Sequence, residues 1–248
     1  MQIGAQFYTI RDFCKTTDGL AESLKKVADI GYKTVQISGT CEYDANWLAN
    51  ELKKNGLKCV LTHTSLDKMK ADPIKVCRDH TAFGCDYVGL GWFGFDSNYT
   101  SVEKFINEVT PAVKSINQNG KYFMYHNHAK EFTKFGGKTI LEIIAEAFLP
   151  NELGFTLDTY WVQAAGGDPA YWLEHLKGRV PCIHLKDHDA DRRMAVIGEG
   201  NINFDCVFQK AEAAGTKYML VEQDNCNGED PFNCLKRSYK FLKSRGFE

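Results

Sequence analysis

The chain has 248 residues, of which 44% are hydrophobic and 25% are charged, and its formal net charge is −2. This composition is typical of a globular protein and excludes a disordered or fibrous one. The basic residues are scattered and balanced by acidic ones, which argues against a nucleic acid or a membrane surface as partner.

No apolar run approaches the roughly 20 residues that a membrane span requires, and Met1 leads into a strand-like segment rather than a signal peptide. We therefore expect a cytoplasmic protein. Nine cysteines occur without any CxxC pair, and their number is odd. We interpret them as small buried hydrophobic residues in a reducing compartment rather than as a disulfide framework or a zinc cluster.

One unit recurs along the chain: a polar helix-like stretch, a glycine, and then a short apolar run rich in β-branched residues. Glycine accepts the left-handed conformation that ends a helix, so each unit predicts a helix stop followed by a strand. The glycines are Gly31, Gly56, Gly84, Gly120, Gly178 and Gly215. Successive junctions of this kind predict a parallel sheet.

Periodicity predicts eight strands with helices between them. The strands are expected near residues 2–8, 33–37, 57–63, 86–91, 121–127, 153–158, 180–185 and 217–222. Because no linker or low-complexity stretch interrupts this alternation, we predict one domain over residues 1–248, an α/β protein with a single (β/α)8 TIM barrel. A doubly wound open sheet is the alternative, but no GxGxxG motif follows the first strand to support it.

In such a barrel the active site lies at the carboxyl ends of the strands. The predicted strand ends carry Gln6, Tyr8, His63, Trp92, the run from Tyr125 to His128, Asp158, His184 and Glu222. Strands five to eight thus each supply a side chain able to bind a metal. Four such groups at one barrel mouth are costly to desolvate unless a cation neutralises them. Imidazole and carboxylate together suit Mn²⁺, Co²⁺, Fe²⁺ or Zn²⁺ better than Mg²⁺.

The fifth strand offers two histidines. Side chains alternate along a strand, so His126 and His128 share one face and only one of them need bind the metal. A lone histidine is more often a hydrogen-bonded packing residue than a ligand. The residues alone leave open which of the two is the ligand.

Several segments resemble the xylose isomerase-like barrel superfamily of sugar and sugar-phosphate isomerases and epimerases. They are YHNHAKEF, LDTYW, HLKD, GEGNINF and VEQD, in this order, together with the opening IGAQFYTIRD. The resemblance covers essentially the whole chain, and LDTYW, HLKD and VEQD are its most specific pieces. It implies a divalent metal, Mn²⁺ first, with Mg²⁺, Co²⁺, Zn²⁺ or Fe²⁺ as alternatives. It also implies that Asp158, His184 and Glu222 are ligands.

The chain departs from this pattern at two positions. Many relatives have a glutamate at the end of strand five, where this chain has His126, so the fourth ligand is His126, His128 or Glu131. We take His126 as the working assignment. Several ketose epimerases carry a histidine three residues after the aspartate, whereas this chain has Trp161, which can stack on a sugar but cannot transfer a proton.

The chemistry that the resemblance implies is proton transfer on a small-molecule sugar. A substrate with adjacent carbonyl and hydroxyl oxygens would chelate the metal, which stabilises the enediolate left when a carbon-bound proton is removed. Glu222 is expected to act as the base on one face, and Glu131 or His128 on the other. Return of the proton to the opposite face gives epimerisation, and return to the neighbouring carbon gives isomerisation.

Four further residues are predicted to contact the sugar. They are His63, Trp92, Trp161 and Lys186. For Lys186 the alternative is an ion pair with Asp187 or Glu199. No arginine cluster or glycine-rich anion loop indicates a phosphate, which favours a non-phosphorylated or oxidised sugar.

Other functions compete with isomerisation. A dehydratase of the inosose-dehydratase type and an enzyme that cleaves a keto-sugar C-glycoside share the enediolate but expel a group. A non-catalytic sugar-binding barrel is a further alternative. The endonuclease branch of the superfamily, which presents a basic groove to DNA, is disfavoured because this chain is nearly neutral and lacks the additional His and Asp ligands of that branch. A homo-oligomer is compatible with the sequence.

Overall fold

Eight parallel strands close into a barrel in the computed structural model, which describes residues 1–248. The strands are β1 (Gln2–Gln6), β2 (Thr34–Ile37), β3 (Lys58–His63), β4 (Tyr87–Leu90), β5 (Tyr122–His126), β6 (Leu153–Asp158), β7 (Cys182–Leu185) and β8 (Tyr218–Val221). Each strand pairs with the next one in the chain, and β8 closes the barrel against β1, where Gly4 lies opposite Leu220. The predicted (β/α)8 barrel is therefore confirmed, and the doubly wound sheet was the wrong alternative.

Ten helices surround the barrel. They are α1 (Thr17–Ile30), α2 (Ala45–Lys54), α3 (Leu66–Ala71), α4 (Pro73–Ala82), α5 (Thr100–Gln118), α6 (Ile140–Ala147), α7 (Thr159–Ala164), α8 (Pro169–His175), α9 (Phe204–Ala214) and α10 (Pro231–Ser244). In α1, Leu20, Leu24 and Val27 are buried while Lys25 and Lys26 are exposed, because apolar residues recur at the helical period. None of the ten helices has the length and apolar character needed to cross a bilayer.

The helix ends follow the glycines of the recurring unit. All six predicted stops have a positive φ. Gly215 shows the reason. Its φ is 83° and its N–H donates to the carbonyl of Ala211, so α9 ends here and the chain turns toward β8.

Periodicity did not predict the two short antiparallel hairpins at residues 134–139 and 187–195.

The inside of the barrel is layered. Met124, Cys182 and Leu220 belong to a small apolar cluster on neighbouring and facing strands. Side chains alternate along a strand, so the next inward position lies two residues further on, toward the carboxyl end. At that level the lining changes from apolar to polar, and the apolar layer forms the floor of the site. A second cluster of 55 buried residues packs between the barrel and its helices.

Candidate active site

The polar layer above this floor gathers four side chains from four consecutive strands. His126, Asp158, His184 and Glu222 place one nitrogen or carboxylate oxygen each within 4.8 Å of one another. None of the four residues is more than 3% exposed. The structure thus brings together all four residues of the predicted metal set, at the carboxyl ends of β5 to β8.

His126 is oriented by the backbone of the neighbouring strand. Its Nδ1 lies 3.0 Å from the carbonyl oxygen of Gly91, which can only accept, so Nδ1 carries the proton. Nε2 is therefore free of a proton in the neutral ring and lies 3.1 Å from Asp158 Oδ2. Position 91 favours glycine because a Cβ there would lie 2.6 Å from the His63 ring. Burial, and then the neighbouring His184, lowers the pKa of His126 and keeps the ring neutral.

His184 is oriented from the opposite wall. Its Nε2 lies 2.6 Å from Gln36 Oε1, across the barrel on β2. Its Nδ1 lies 2.9 Å from Glu222 Oε2 and 3.6 Å from Asp158 Oδ2. Neither Nδ1 nor Glu222 Oε2 has a well-aligned hydrogen bond, although the two atoms are close. A lone pair on nitrogen that faces carboxylate oxygens in this way is the arrangement of ligands around a cation.

The two carboxylates are each fixed through one oxygen. Asp158 Oδ1 accepts the N–H of Trp161 at 3.1 Å and so caps α7. Glu222 Oε1 accepts from Gln6 Nε2 at 2.8 Å. The second oxygen of each carboxylate is left to face the centre of the cluster.

Lys186 lies among these carboxylates and is 2% exposed. Its Nζ is 3.2 Å from Asp158 Oδ2 and 2.9 Å from Glu222 Oε2. It is also 3.0 Å from Asp224 Oδ2. Burial opposes the charge on Lys186, but the carboxylates outweigh it and raise its pKa above the ordinary value. The alternative ion pair with Asp187 does not form, because that carboxylate accepts N–H groups of the following glycine-rich loop.

The charges in the cluster do not balance. Asp158, Glu222 and Asp224 bring three carboxylates, against the single ammonium of Lys186. Burial would raise the pKa of Glu222, but Lys186 and then His184 outweigh it and hold the pKa below its ordinary value. The pKa of His184 is raised above its ordinary value because the adjacent carboxylates outweigh burial. The cluster therefore attracts further positive charge, and two imidazole nitrogens with two carboxylates form a donor set that fits a divalent transition metal.

The cluster lies at the base of a pocket of about 870 Å³. Every predicted sugar contact lines this pocket: His63, Trp92, Trp161 and Lys186. Trp92 is 66% exposed and stands at the rim, whereas Trp161 packs against His128 with ring centroids 5.3 Å apart. The predicted contacts therefore share one cavity, and their role in binding a sugar stays a prediction.

His128 and Glu131, both expected near the reacting carbon, have different positions. His128 lines the pocket, and burial followed by the neighbouring His126 lowers its pKa to about 3, so the ring is neutral at neutral pH. Glu131 is 1% exposed and does not line the pocket. Its carboxylate accepts the hydroxyl of Tyr125 at 2.5 Å and the backbone N–H of His128 at 2.9 Å. Contrary to the expectation for a base, Glu131 lies behind the site and holds the loop that carries His128.

Sequence reasoning missed several residues of the site. Asp224 belongs to the VEQD segment, and its carboxylate two residues after Glu222 was the available signal. Gln6 was recognised at a strand end but without a role, and Gln36 gave no signal, because an amide in a strand is recognised as an orienting group only when its partner on another strand is known. His80, on α4 behind the site, is 4% exposed and bonds to the third strand through Thr62.

We expect Gln36→Leu to weaken metal binding without removing a ligand. The change deletes the acceptor that fixes His184, and loss of such an outer partner typically lowers metal affinity by roughly 10- to 100-fold. Calorimetric titration with Mn²⁺ measures the effect. The exposed Gln118→Leu variant, at the end of α5, is the matched control. Equal Mn²⁺ affinity in both variants would show that Gln36 does not orient the ligand.

Comparison with known proteins gives one family and a set of structural neighbours. The sequence model of a family described as xylose isomerase-like TIM barrel matches residues 24–245. A sugar phosphate isomerase/epimerase from Parabacteroides distasonis is 22% identical, with a TM-score of 0.83 over 98% of this chain and 97% of that one. Among curated proteins, no sequence matches the chain significantly.

Two further solved structures are similar to the chain. L-ribulose 3-epimerase is 14% identical with a TM-score of 0.76, over 98% of this chain and 94% of that one. A probable 3-DHS dehydratase from Bacillus anthracis is 16% identical with a TM-score of 0.77, over 99% of this chain and all of that one (100%). At these identities the likeness shows a common fold.

Proposed function

Since the chain belongs to the xylose isomerase-like TIM barrel family, we propose that it is a metal-dependent sugar isomerase or epimerase that works by proton transfer. The observation that carries the proposal is the buried cluster of two imidazoles and two carboxylates at the base of a pocket of about 870 Å³. Neighbours with the same fold include proteins described as a sugar phosphate isomerase/epimerase and as L-ribulose 3-epimerase. The nine cysteines, none of them paired, fit a reducing cytoplasmic location.

The proposed metal ligands are His126 Nε2, Asp158 Oδ2, His184 Nδ1 and Glu222 Oε2. Mn²⁺ is the first choice, because mixed nitrogen and carboxylate donors suit it better than they suit Mg²⁺. A divalent ion held there supplies Lewis-acid stabilisation to the negative charge that develops on substrate oxygens.

The proposed proton-transfer groups are His128 and Glu222. Both line the pocket, and the neutral His128 ring has a nitrogen free to accept a proton. The carboxylate of Glu222 is ionised because Lys186 holds its pKa low. The Lys186 ammonium is also in the pocket wall, where it can stabilise an oxyanion of the substrate. Glu131 acts through His128, by holding the backbone of its loop.

Solvent exchange tests the reaction type. A proton removed by His128 or Glu222 exchanges with the solvent, so turnover in D₂O should place deuterium on the carbon beside the substrate carbonyl. Mass spectrometry and NMR of the product, from incubations with a panel of aldoses, ketoses and oxidised sugars, measure the label. Conversion without any label would contradict proton transfer and favour a hydride shift between carbons, provided that a tritium-washout assay excludes a base shielded from the solvent.

Elimination is the second candidate. A structural neighbour is described as a probable 3-DHS dehydratase, and the same groups can remove a proton next to a carbonyl. A dehydratase expels a β-hydroxyl instead of returning the proton to carbon. The D₂O experiment separates the two reactions, because elimination lowers the product mass by one water whereas isomerisation and epimerisation do not.

A further inference from the structure

A second cavity of about 610 Å³ adjoins the active-site pocket. It lies between the loop after β2 and the helices α3 and α4. Four residues line both cavities: Ser38, His63, Thr64 and Ser65. Each cavity lies within the roughly 300–1,000 Å³ typical of small-molecule sites. A single sugar ring would therefore occupy only part of the two adjoining cavities.

The hydroxyl of Thr64 in this wall has a fixed direction. His80 Nδ1 lies 2.7 Å from the carbonyl of Val76 and must donate to it. Burial lowers the pKa of His80 to about 4, so the ring is neutral and its Nε2 accepts from the hydroxyl of Thr62 at 2.8 Å. Thr62 in turn accepts from Thr64 at 2.9 Å. The only proton of the Thr64 hydroxyl is thus committed, and that hydroxyl is an acceptor toward the cavities.

The shared wall also holds an unused ring nitrogen. His63 Nδ1 lies 3.0 Å from Ser38 Oγ, while its Nε2 is buried and has no hydrogen-bond partner. A buried polar atom without a partner is unfavourable until a ligand or a water supplies one. His63 and Thr64 both line the two cavities, and the Thr64 hydroxyl marks their junction as a place for a hydroxyl group.

Both lysines that line the second cavity are paired with carboxylates. Lys68 lies 2.5 Å from Glu42, and Lys75 lies 2.5 Å from Asp79. Recognition of a phosphate requires basic groups that are free to contact it. The second cavity therefore suits a neutral group, and Tyr43 adds an aromatic surface of the kind on which sugar rings stack.

From these observations we propose that the second cavity is a subsite for a second, neutral sugar ring joined to the reacting one, so that the substrate is a disaccharide or glycoside rather than a sugar phosphate. The proposal rests on the proposed sugar chemistry of the first pocket. The Thr64 hydroxyl oxygen accepts a hydrogen bond from a hydroxyl of this ligand at the junction. The loop after β2 covers the second ring.

Binding to matched pairs of sugars tests the subsite. The probes are D-glucose with cellobiose, D-galactose with lactose and D-xylose with xylobiose, plus glucose 6-phosphate, titrated into the Mn²⁺-loaded protein. At least one disaccharide should bind about tenfold more tightly than its monosaccharide, which corresponds to one or two added hydrogen bonds. Ala71→Trp, at the exposed end of α3, places an indole in the wall of the second cavity and should abolish this preference without changing the monosaccharide Kd. Ala147→Trp, at the exposed end of α6 and in neither cavity wall, is the matched control.

The possible outcomes separate the subsite from the chemistry. If monosaccharides bind but no disaccharide binds better, or if Ala71→Trp leaves the preference intact, the subsite is wrong and the proposed function stands. Tighter binding of glucose 6-phosphate than of every disaccharide overturns the neutral class. If no probe binds at all, the subsite proposal fails, and the D₂O experiment with ketoses and oxidised sugars decides the proposed function separately. Should Ala71→Trp not fold, Thr64→Val serves instead, with an expected loss of about fivefold for the disaccharide that Thr64→Ser largely restores.

Discussion

Glu222→Gln should bind Mn²⁺ at least about 100-fold more weakly than the wild type, since even the loss of an outer-shell partner costs roughly 10- to 100-fold. The change removes one of the two charges that face the centre of the cluster. Lys186, 2.9 Å away, then loses a carboxylate that balances its own charge, so the site becomes less attractive to any cation. Metal content after dialysis, measured by mass spectrometry, reports the effect directly.

Thermal unfolding gives a second readout for the same variant. An ion that binds only the folded state stabilises it by about 2.7 kcal/mol at a concentration 100 times its Kd. Addition of Mn²⁺ should therefore raise the Tm of the wild type, and a chelator should reverse the rise, whereas Glu222→Gln should show neither effect. Glu199→Gln, at a surface glutamate paired with Arg237, is the control that should behave as the wild type. Full metal occupancy in Glu222→Gln would exclude this carboxylate as a ligand.

The two histidines of the fifth strand should separate into different roles. His126→Ala should lose metal, because it deletes a proposed ligand whose Nε2 lies 3.1 Å from Asp158 Oδ2. His128→Ala should keep its metal and lose turnover by roughly 10²- to 10⁴-fold, the usual contribution of a general acid or base. Metal content and initial rates, measured on the same preparations, test both statements.

The comparison between these histidines needs a control for folding. His126 is buried and His128 is partly exposed, so the two substitutions can differ in their effect on folding, and circular dichroism of each variant detects such an effect. His128→Ala with full activity would reduce that residue to a packing role beside Trp161. Metal loss in His128→Ala but not in His126→Ala would reverse the two assignments.

The barrel was predictable because its signals are local. A glycine at a helix end and a β-branched run after it specify a junction within a few residues, as Gly215 illustrates. The gathering of Asp158, His184 and Glu222 also followed from the sequence, because parallel strands bring their carboxyl ends to one rim whatever the details of the loops. The metal that these residues are expected to bind remains a prediction.

The rest of the site depends on contacts between distant parts of the chain. Gln36 orients His184 from 148 residues away, and only the closed barrel places the two face to face. Glu131 was expected in the pocket because it follows the fifth strand. The short helical turn at residues 130–132 instead directs its carboxylate toward Tyr125. The direction of a side chain in an irregular loop is set by such turns, and periodicity gives no information about them.

The position of Lys186 should allow the protein to fold without the proposed metal ion. Without the ion, the ammonium of Lys186 still contacts the carboxylates of Asp158 and Glu222 and offsets the repulsion between them. Depletion of the metal should therefore abolish activity while the protein remains folded. Under the proposed function, cells starved of the metal should still contain folded protein, and an antibody measurement of its abundance should overstate its activity.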